Sequence, residues 1–349
     1  MNKFKLQNRI KIRKEIVELL RGFYFVPIFL NLHKLKILDK FSRNSFTDLK
    51  KLRIKNALFL KKIFDYLVRL DLFEKKNEKY KLTRSGFSLK KRIGTIYILN
   101  SYKKIFDNFE FNLKNKVLNS SWCDRRDNII GSGLIHTRKF FKPSLNLINL
   151  KKINNLLDIG CGDGTFLDVV KKNNHQINIL GCDLSSESVK QTKLKLLLSQ
   201  KKTNNIFKCN GNDILQIKEK LLKAKVELDE NSIISMWFLL HEISNNSPMT
   251  IVRYLKQIKK NFPKTPILIG EISKLDNKTI KNQKSLSIMP EFYLFHELSG
   301  QGLLSEIQFM QIFKKASYKL SKIIRTDTVD IKKSNTSSNF ICLIEPKTT

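Results

Sequence analysis

Apolar residues recur at helical spacing early in the chain. Leu60, Ile63, Phe64, Leu67 and Val68 follow the i, i+3, i+4, i+7 pattern, and charged side chains occupy positions between them. This pattern predicts an amphipathic helix with one buried face.

The segments on either side of this helix complete a winged-helix outline. Residues 45–49 have the composition of a capped helix start. After the helix, the apolar pair 72–73 and the segment 80–83 flank a polar stretch, which predicts a small β-hairpin closed by Gly86. Helix, helix and hairpin in this order predict a mainly helical winged-helix domain over residues 1–100.

From residue 154 onward, short apolar runs alternate with helical stretches, which predicts a parallel, doubly wound sheet. A polar stretch without helical period separates the last two strands, so we expect them to form an antiparallel hairpin at the sheet edge. The fold class is therefore α/β, with a mostly parallel, seven-stranded Rossmann-like sheet in residues 151–349 and a helical connector in residues 101–150. The predicted strands span 154–159, 177–182, 205–209, 231–238, 265–271, 317–325 and 338–344, and the main helices span 185–199, 247–261 and 305–315.

The composition is that of a globular chain long enough for two domains, with 349 residues of which 41% are hydrophobic. The net charge of +35 is compatible with an anionic partner such as nucleic acid. However, the basic residues are dispersed as singles and pairs along every segment, which favours compositional bias. We therefore expect no nucleic-acid partner.

Cysteine usage and hydropathy bear on the compartment. The five cysteines show no paired metal spacing, which is typical of reduced thiols in the cytosol. The longest apolar run, Phe23–Leu32, is far shorter than the roughly 20 residues that span a bilayer. The sequence predicts a soluble, cytoplasmic protein that binds no membrane.

The clearest chemical motif is the segment 156–166, Leu-Leu-Asp-Ile-Gly-Cys-Gly-Asp-Gly-Thr-Phe. An apolar strand ends at Asp158, and glycines follow at Gly160, Gly162 and Gly164. Glycine permits a sharp turn and a close approach of backbone N–H groups to a ligand, and the next helix directs its positive end there. The G-x-G-x-G spacing differs from the G-x-G-x-x-G of dinucleotide sites.

This motif resembles motif I of the class I methyltransferases, which bind S-adenosylmethionine. Asp183 ends the next predicted strand, 19 residues past Gly164, where an acid accepts hydrogen bonds from both ribose hydroxyls. Asp213 follows the third strand, where the family carries an acid that contacts the adenine amino group. The resemblance implies S-adenosylmethionine as the cofactor and no metal.

Methyl transfer from a sulfonium needs an aimed nucleophile and often a base. His241 and Glu271 follow adjacent predicted strands, so we expect them to meet at one sheet edge. The segment 240–244, Leu-His-Glu-Ile-Ser, resembles that of plant and bacterial O-methyltransferases with a winged-helix dimerisation domain. There the histidine is the general base and a later glutamate, here Glu271, orients it. The chain departs from that family at 302–303, where a second orienting glutamate is replaced by Gly-Leu.

Two further segments suggest how the methyl acceptor is bound. Residues 289–302 mix aromatic side chains with His296 and Glu297, a combination suited to a polar or charged small substrate. Together with residues 124–133, this segment resembles bacterial C-methyltransferases of 2-oxo acids, such as 2-ketoarginine methyltransferase.

In that alternative the base forms an enolate, and Arg125 or Arg126 holds the substrate carboxylate as a bidentate clamp. The sequence thus predicts a homodimeric methyltransferase of a small molecule, with O- and C-methylation both open.

A winged-helix regulator that reads nucleic acid is the alternative from another class. A DNA-reading helix keeps its exposed face polar and basic, whereas residues 1–32 add apolar surface better suited to a dimer core.

Overall fold

The structure is a computed structural model, and the chain divides into two compact units, Met1–Tyr97 and Ile98–Thr349. We call them the N-terminal and the C-terminal unit. The residues that the structure describes are 3–115, 123–198, 205–244, 247–283, 288–326 and 339–347.

The N-terminal unit is a winged helix, as predicted. Its three-stranded antiparallel sheet has the order β1-β3-β2, and β2 and β3 are the predicted hairpin. The elements are α1 (Lys3–Lys34), β1 (Thr47–Asp48), α2 (Ala57–Arg69), β2 (Phe73–Lys76), β3 (Lys79–Leu82), α3 (Arg84–Lys91) and the start of α4 (Ile93–Ser101).

The helix start predicted at residues 45–49 is wrong. Thr47 and Asp48 form strand β1 because Thr47 pairs with Tyr80 of β3. The side chain of Asp48 then caps the short 3-10 helix Leu49–Leu52 by accepting a hydrogen bond from the backbone N–H of Lys50. The sequence does contain a helix-capping residue, Asp48. The helix that it caps is a short 3-10 helix that begins only at Leu49.

Helix α1 is much longer than the apolar run at its end. Its stretch Ile10–Lys34 is long and apolar enough to cross a membrane by length and composition alone. Most of this stretch is exposed within the unit, and Leu19 and Phe23 are each 77% exposed. The exposed apolar face therefore lacks a covering element among the described residues of the N-terminal unit.

The C-terminal unit contains a seven-stranded sheet of order β6-β5-β4-β7-β8-β10-β9. The first five strands in this order are parallel, and β9 and β10 form the predicted antiparallel hairpin at one edge. The strands are β4 (Asn155–Ile159), β5 (Asn178–Asp183), β6 (Ile206–Lys208), β7 (Ser232–Trp237), β8 (Ile267–Ile272), β9 (Tyr318–Arg325) and β10 (Asn339–Pro346).

Helices cover both faces of this sheet, and a separate apolar core lies on each side. Each parallel strand contributes alternate side chains to the two cores, and both faces of β4 are buried, as expected for a doubly wound fold. The helices are α5 (Lys103–Asp107), α6 (Phe109–Lys114), α7 (Arg125–His136), α8 (Lys142–Ser144), α9 (Thr165–Asn173), α10 (Ser186–Leu198), α11 (Ile214–Lys223), α12 (Leu240–Ile243), α13 (Pro248–Asn261), α14 (Asn277–Gln283), α15 (Met289–Leu298) and α16 (Glu306–Lys315), and the second half of α4 precedes them.

Replacing Gly86 by alanine will destabilise the winged helix. A Cβ at this position would lie 2.0 Å from the backbone oxygen of Leu72, which cannot move aside as a flexible side chain can. We expect the free energy of unfolding to fall by about 1–3 kcal/mol. Gly22→Ala is the control, because its Cβ would meet no described atom within 4 Å. Urea denaturation followed by circular dichroism compares them, and an unchanged Gly86→Ala protein would contradict this packing.

Candidate active site

The glycine turn after β4 has the backbone geometry that its sequence predicts. Gly160, Gly162 and Gly164 have φ angles of 75°, 55° and 73°, a region that other residues rarely adopt. Helix α9 begins directly after Gly164, so its positive end faces the turn. The turn is anchored because Gly160 and Cys161 both donate backbone hydrogen bonds to the carbonyl oxygen of Cys182 in β5.

Asp183 lies beside this turn at the end of β5. Its carboxylate accepts hydrogen bonds from the backbone N–H groups of Gly162 (3.0 Å) and Ser185 (2.8 Å). The side chain is partly exposed, and a carboxylate can accept more hydrogen bonds than these two. Burial raises the pKa of Asp183, while its backbone hydrogen bonds lower it. Asp183 therefore joins the turn to the next strand and keeps acceptor capacity for a ligand.

Asp158 is the acidic residue near the end of β4, just before the glycine turn, and its side chain is buried. Its Oδ1 accepts a hydrogen bond from the hydroxyl of Ser235 at 2.7 Å, whereas Oδ2 has no hydrogen-bond partner among the described residues. Burial raises the pKa of Asp158 to about 8. An unsatisfied oxygen in this position calls for a donor, which a bound ligand can supply.

Two acids near the turn serve the local structure. Asp213 is exposed and caps α11 by accepting a hydrogen bond from the backbone N–H of Gln216. Asp163, inside the turn, accepts hydrogen bonds from Thr165 and from Lys195 of α10. The contact of Asp213 with a cofactor stays a prediction. The hydrogen bond between Asp163 and Lys195 could not be predicted from the sequence, because the two residues are 32 positions apart.

His241 and Glu271 meet at the carboxyl ends of β7 and β8, which are paired neighbours. The Nδ1 atom of His241 lies 2.8 Å from Oε2 of Glu271, and both side chains are buried. Oε1 of Glu271 accepts a hydrogen bond from the backbone N–H of Leu240 at 2.7 Å. Burial lowers the pKa of His241, but the charge and hydrogen bond of Glu271 outweigh it, so the net pKa lies above the ordinary value.

A strained turn aims His241 at this position. Phe238, the residue after β7, has a φ of 55°, which costs a residue with a large side chain about 1–3 kcal/mol. The conformation is held because its backbone N–H donates to the carbonyl oxygen of Gly270 and its ring stacks on that of His136 at 3.8 Å. Burial lowers the pKa of His136 to about 3, so this ring is neutral. Nothing in the sequence indicates this strain, because the partners of Phe238 are distant along the chain.

His296 lies on α15 and contacts His241, with ring centroids 5.3 Å apart. Its Nδ1 is 2.7 Å from the carbonyl oxygen of Phe292, one turn earlier, and the two rings are 3.9 Å apart. Burial, followed by the positive charge of His241, lowers the pKa of His296 to about 3. The structure thus brings together two histidines that are 55 residues apart in the sequence.

The two arginines proposed as a carboxylate clamp have different surroundings. The guanidinium of Arg125 lies 2.8 Å from Oε1 of Glu242, the residue after His241. Arg126 is exposed, and its backbone N–H donates to Asp124, which caps α7. The pairing with Glu242 was not predicted, because the partners are 117 residues apart.

Glu297 is exposed and lies beside a cavity rather than against His241. One carboxylate oxygen of Glu297 is 3.5 Å from Nζ of Lys274. The cavity has a volume of about 230 Å³ and is lined by Lys274, Glu297, Gln301, Gly302 and Leu303. The contact of Glu297 with a methyl acceptor stays a prediction.

Two family models match parts of the chain. Residues 21–113 match the family model of the AprA winged helix domain, and residues 157–261 match that of a methyltransferase domain. No curated protein matches the chain in sequence.

Solved structures share the fold over nearly the whole chain. The mitomycin 7-O-methyltransferase MmcR is 11% identical, with 98% of this chain and 100% of that chain covered and a TM-score of 0.63. Human N-acetylserotonin methyltransferase, in complex with SAM, is 12% identical, with 97% and 98% covered and a TM-score of 0.62. PigF, solved with SAH, is 13% identical, with 95% and 99% covered and a TM-score of 0.61.

The two domain matches and the shared fold define the class. The chain combines an N-terminal winged-helix domain with a C-terminal methyltransferase domain of the class I fold. The resemblance recognised in the glycine motif and the winged-helix outline is confirmed.

Glu271→Gln will lower the pKa of His241, because glutamine removes the negative charge that stabilises the imidazolium. NMR titration of the His241 ring in the full chain measures this fall in pKa. Glu242→Gln is the graded control, since its charge also raises this pKa but is paired with Arg125. Its effect should be smaller. An unchanged His241 pKa in Glu271→Gln would contradict the assigned cause.

Proposed function

We propose that this chain is an S-adenosylmethionine-dependent methyltransferase that acts on a small molecule, with His241 as its general base. The observation that carries the proposal is the buried pair of His241 and Glu271 at 2.8 Å, at the sheet edge that also bears the glycine turn. Ligands of doubly wound sheets bind at this edge, beyond the carboxyl ends of the strands.

The residues around the turn fit the cofactor. Gly160, Gly162 and Gly164 leave the backbone open to an amino-acid end, and Asp183 has acceptor capacity for ribose hydroxyls. The unpartnered Oδ2 of Asp158 suits an ammonium group, whose positive charge would lower the pKa of this buried acid. The chemistry that S-adenosylmethionine supplies when bound is a methyl group made electrophilic by a positively charged sulfur.

His241 has the chemistry of a general base. A carboxylate only accepts hydrogen bonds, so Nδ1 of His241 carries the proton that Glu271 receives, and Nε2 of the neutral ring has a free lone pair. That lone pair removes a proton from the acceptor, and Glu271 then stabilises the imidazolium. A positioned base of this kind contributes about 10²–10⁴-fold to a rate. Because the neutral form is the active one, the rate falls as the pH drops through the raised pKa of His241.

Whether an oxygen, a nitrogen or a carbon is methylated depends on the methyl acceptor. An O–H, N–H or activated C–H proton can all move to Nε2 of His241, so enolate formation on a 2-oxo acid remains the alternative. A carboxylate clamp at Arg125 would require this residue to leave Glu242, from which it is 2.8 Å away. The ion pair therefore favours an acceptor without a carboxylate at that position.

Cofactor binding is tested by calorimetric titration of the full chain with S-adenosylmethionine and S-adenosylhomocysteine. Asp183→Ala should weaken both at least tenfold, as expected when hydrogen bonds to a charged group worth about 1.5–3 kcal/mol are lost. Asp276→Ala is the matched control, because Asp276 is exposed and accepts its hydrogen bond from Thr279 of α14, away from the glycine turn in the sequence. Absence of binding of either ligand to the wild-type chain would overturn the proposed function.

We also propose that the protein is a homodimer through α1. Four apolar side chains of this helix are 63–77% exposed in the single chain, namely Leu19, Leu20, Phe23 and Tyr24. Contiguous apolar surface of this kind marks an interaction site. The winged-helix match begins at residue 21, so the face is continuous with that domain.

The dimer is tested by light scattering of Phe23→Glu, which should be monomeric where the wild type is dimeric. A charge buried at the interface would remain unpaired, and such a loss costs several kcal/mol. Leu222→Glu is the control, since Leu222 is 66% exposed on α11 of the other unit and should leave the dimer intact. A monomeric wild type that binds lipid vesicles instead would contradict the dimer and point to a membrane.

A further inference from the structure

We propose that His296 is a second hydrogen-bond acceptor beside the base and selects a methyl acceptor that carries two neighbouring hydrogen-bond donors. The chemical class is a molecule with two adjacent hydroxyl or amino groups, such as a 1,2-dihydroxy aromatic ring. This inference rests on the proposed function, because His241 is taken as the base.

The tautomer of His296 follows from its backbone contact. The carbonyl oxygen of Phe292 can only accept, so Nδ1 of His296, 2.7 Å away, carries the ring proton. The lowered pKa, about 3, keeps the ring neutral in the ordinary pH range. Nε2 of His296 therefore has an unprotonated lone pair and can act only as an acceptor.

His241 presents the same atom in the same state before catalysis. Its Nδ1 is bound to Glu271, which leaves Nε2 as the acceptor of the neutral ring. The two ring centroids are 5.3 Å apart with an interplanar angle of 63°, and the residues are 4% and 2% exposed. The two rings are therefore neighbours in a buried place, and a ligand that reaches both binds best when it provides a donor to each Nε2.

The packing of His296 keeps its ring in place for this task. Phe292 lies against it at 3.9 Å, and the ring of Tyr102 is 6.1 Å away and stacked on Phe295 at 4.9 Å. These ring contacts restrict the orientation of the His296 imidazole. A ligand that presents a carbonyl, ether or carboxylate oxygen to His296 would place an oxygen lone pair against the lone pair of Nε2. The site would therefore reject such a ligand.

The proton balance distinguishes the two histidines. One hydroxyl or amino group of the methyl acceptor loses its proton to Nε2 of His241. The oxygen or nitrogen of that group then becomes the nucleophile. The second donor keeps its proton and shares it with Nε2 of His296. Because only His241 has a carboxylate partner, only His241 takes up the proton.

The experiment uses the full chain saturated with S-adenosylhomocysteine and two probes that differ in one donor, 1,2-dihydroxybenzene and 2-methoxyphenol. Calorimetry should show that the wild type binds the two-donor probe at least tenfold more tightly. His296→Phe should bind both probes equally, and His296→Gln, which retains an acceptor, should recover part of the preference. Equal binding by the wild type, binding of neither probe, or an undiminished preference in His296→Phe would overturn the inference.

Two controls separate the inference from its assumptions. Unchanged binding of S-adenosylhomocysteine by the His296 variants shows that a failure concerns His296 and not the proposed function. Paired imidazole nitrogens also suit a transition metal, so the chain is titrated with Zn²⁺ and Fe²⁺. Stoichiometric binding of either metal that His241→Ala and His296→Phe both abolish would overturn the hydrogen-bond role. So would a protonated Nε2 of His296 in the ¹⁵N NMR spectrum.

Discussion

The arrangement of the site depends on one buried carboxylate. Glu271 is fully buried at the end of β8, and a buried charge is tolerated only when it is well supplied with donors. It receives the backbone N–H of Leu240 and the Nδ1–H of His241, with a longer contact from the backbone N–H of His241. The same contacts fix the start of α12, the rotamer of His241 and its tautomer. A single charge therefore settles which nitrogen of the His241 ring carries the proton and which one keeps its lone pair in the neutral form.

The doubly wound sheet makes this pairing possible over long chain distances. Parallel strands all end at the same edge, so residues that follow β4, β5, β7 and β8 become neighbours whatever the connections between them. The glycine turn, Asp183, His241 and Glu271 are all such residues. The winged-helix unit obeys different rules, since its short antiparallel strands are linked by local hydrogen bonds.

This difference explains what could be predicted from the sequence. The seven strands, the glycine turn and the meeting of His241 with Glu271 follow from strand periodicity and the edge rule, and the structure places them as expected. The contact between His241 and His296 does not follow, because α15 comes after a long connection and its packing has no periodic signal. The pair of Arg125 and Glu242 was missed for the same reason, and the strand at Thr47 was mistaken for a helix start because its partner Tyr80 is distant.

The two histidines at the centre of the site differ because their partners differ. His241 donates to a carboxylate, so its protonated form is stabilised, whereas His296 donates to a neutral carbonyl, so burial, together with the positive charge of His241, outweighs this hydrogen bond and keeps the ring neutral. A positive charge on either ring disfavours a second charge on the other, which sharpens the division. If both rings had carboxylate partners, both would compete for protons and neither would be a reliable acceptor.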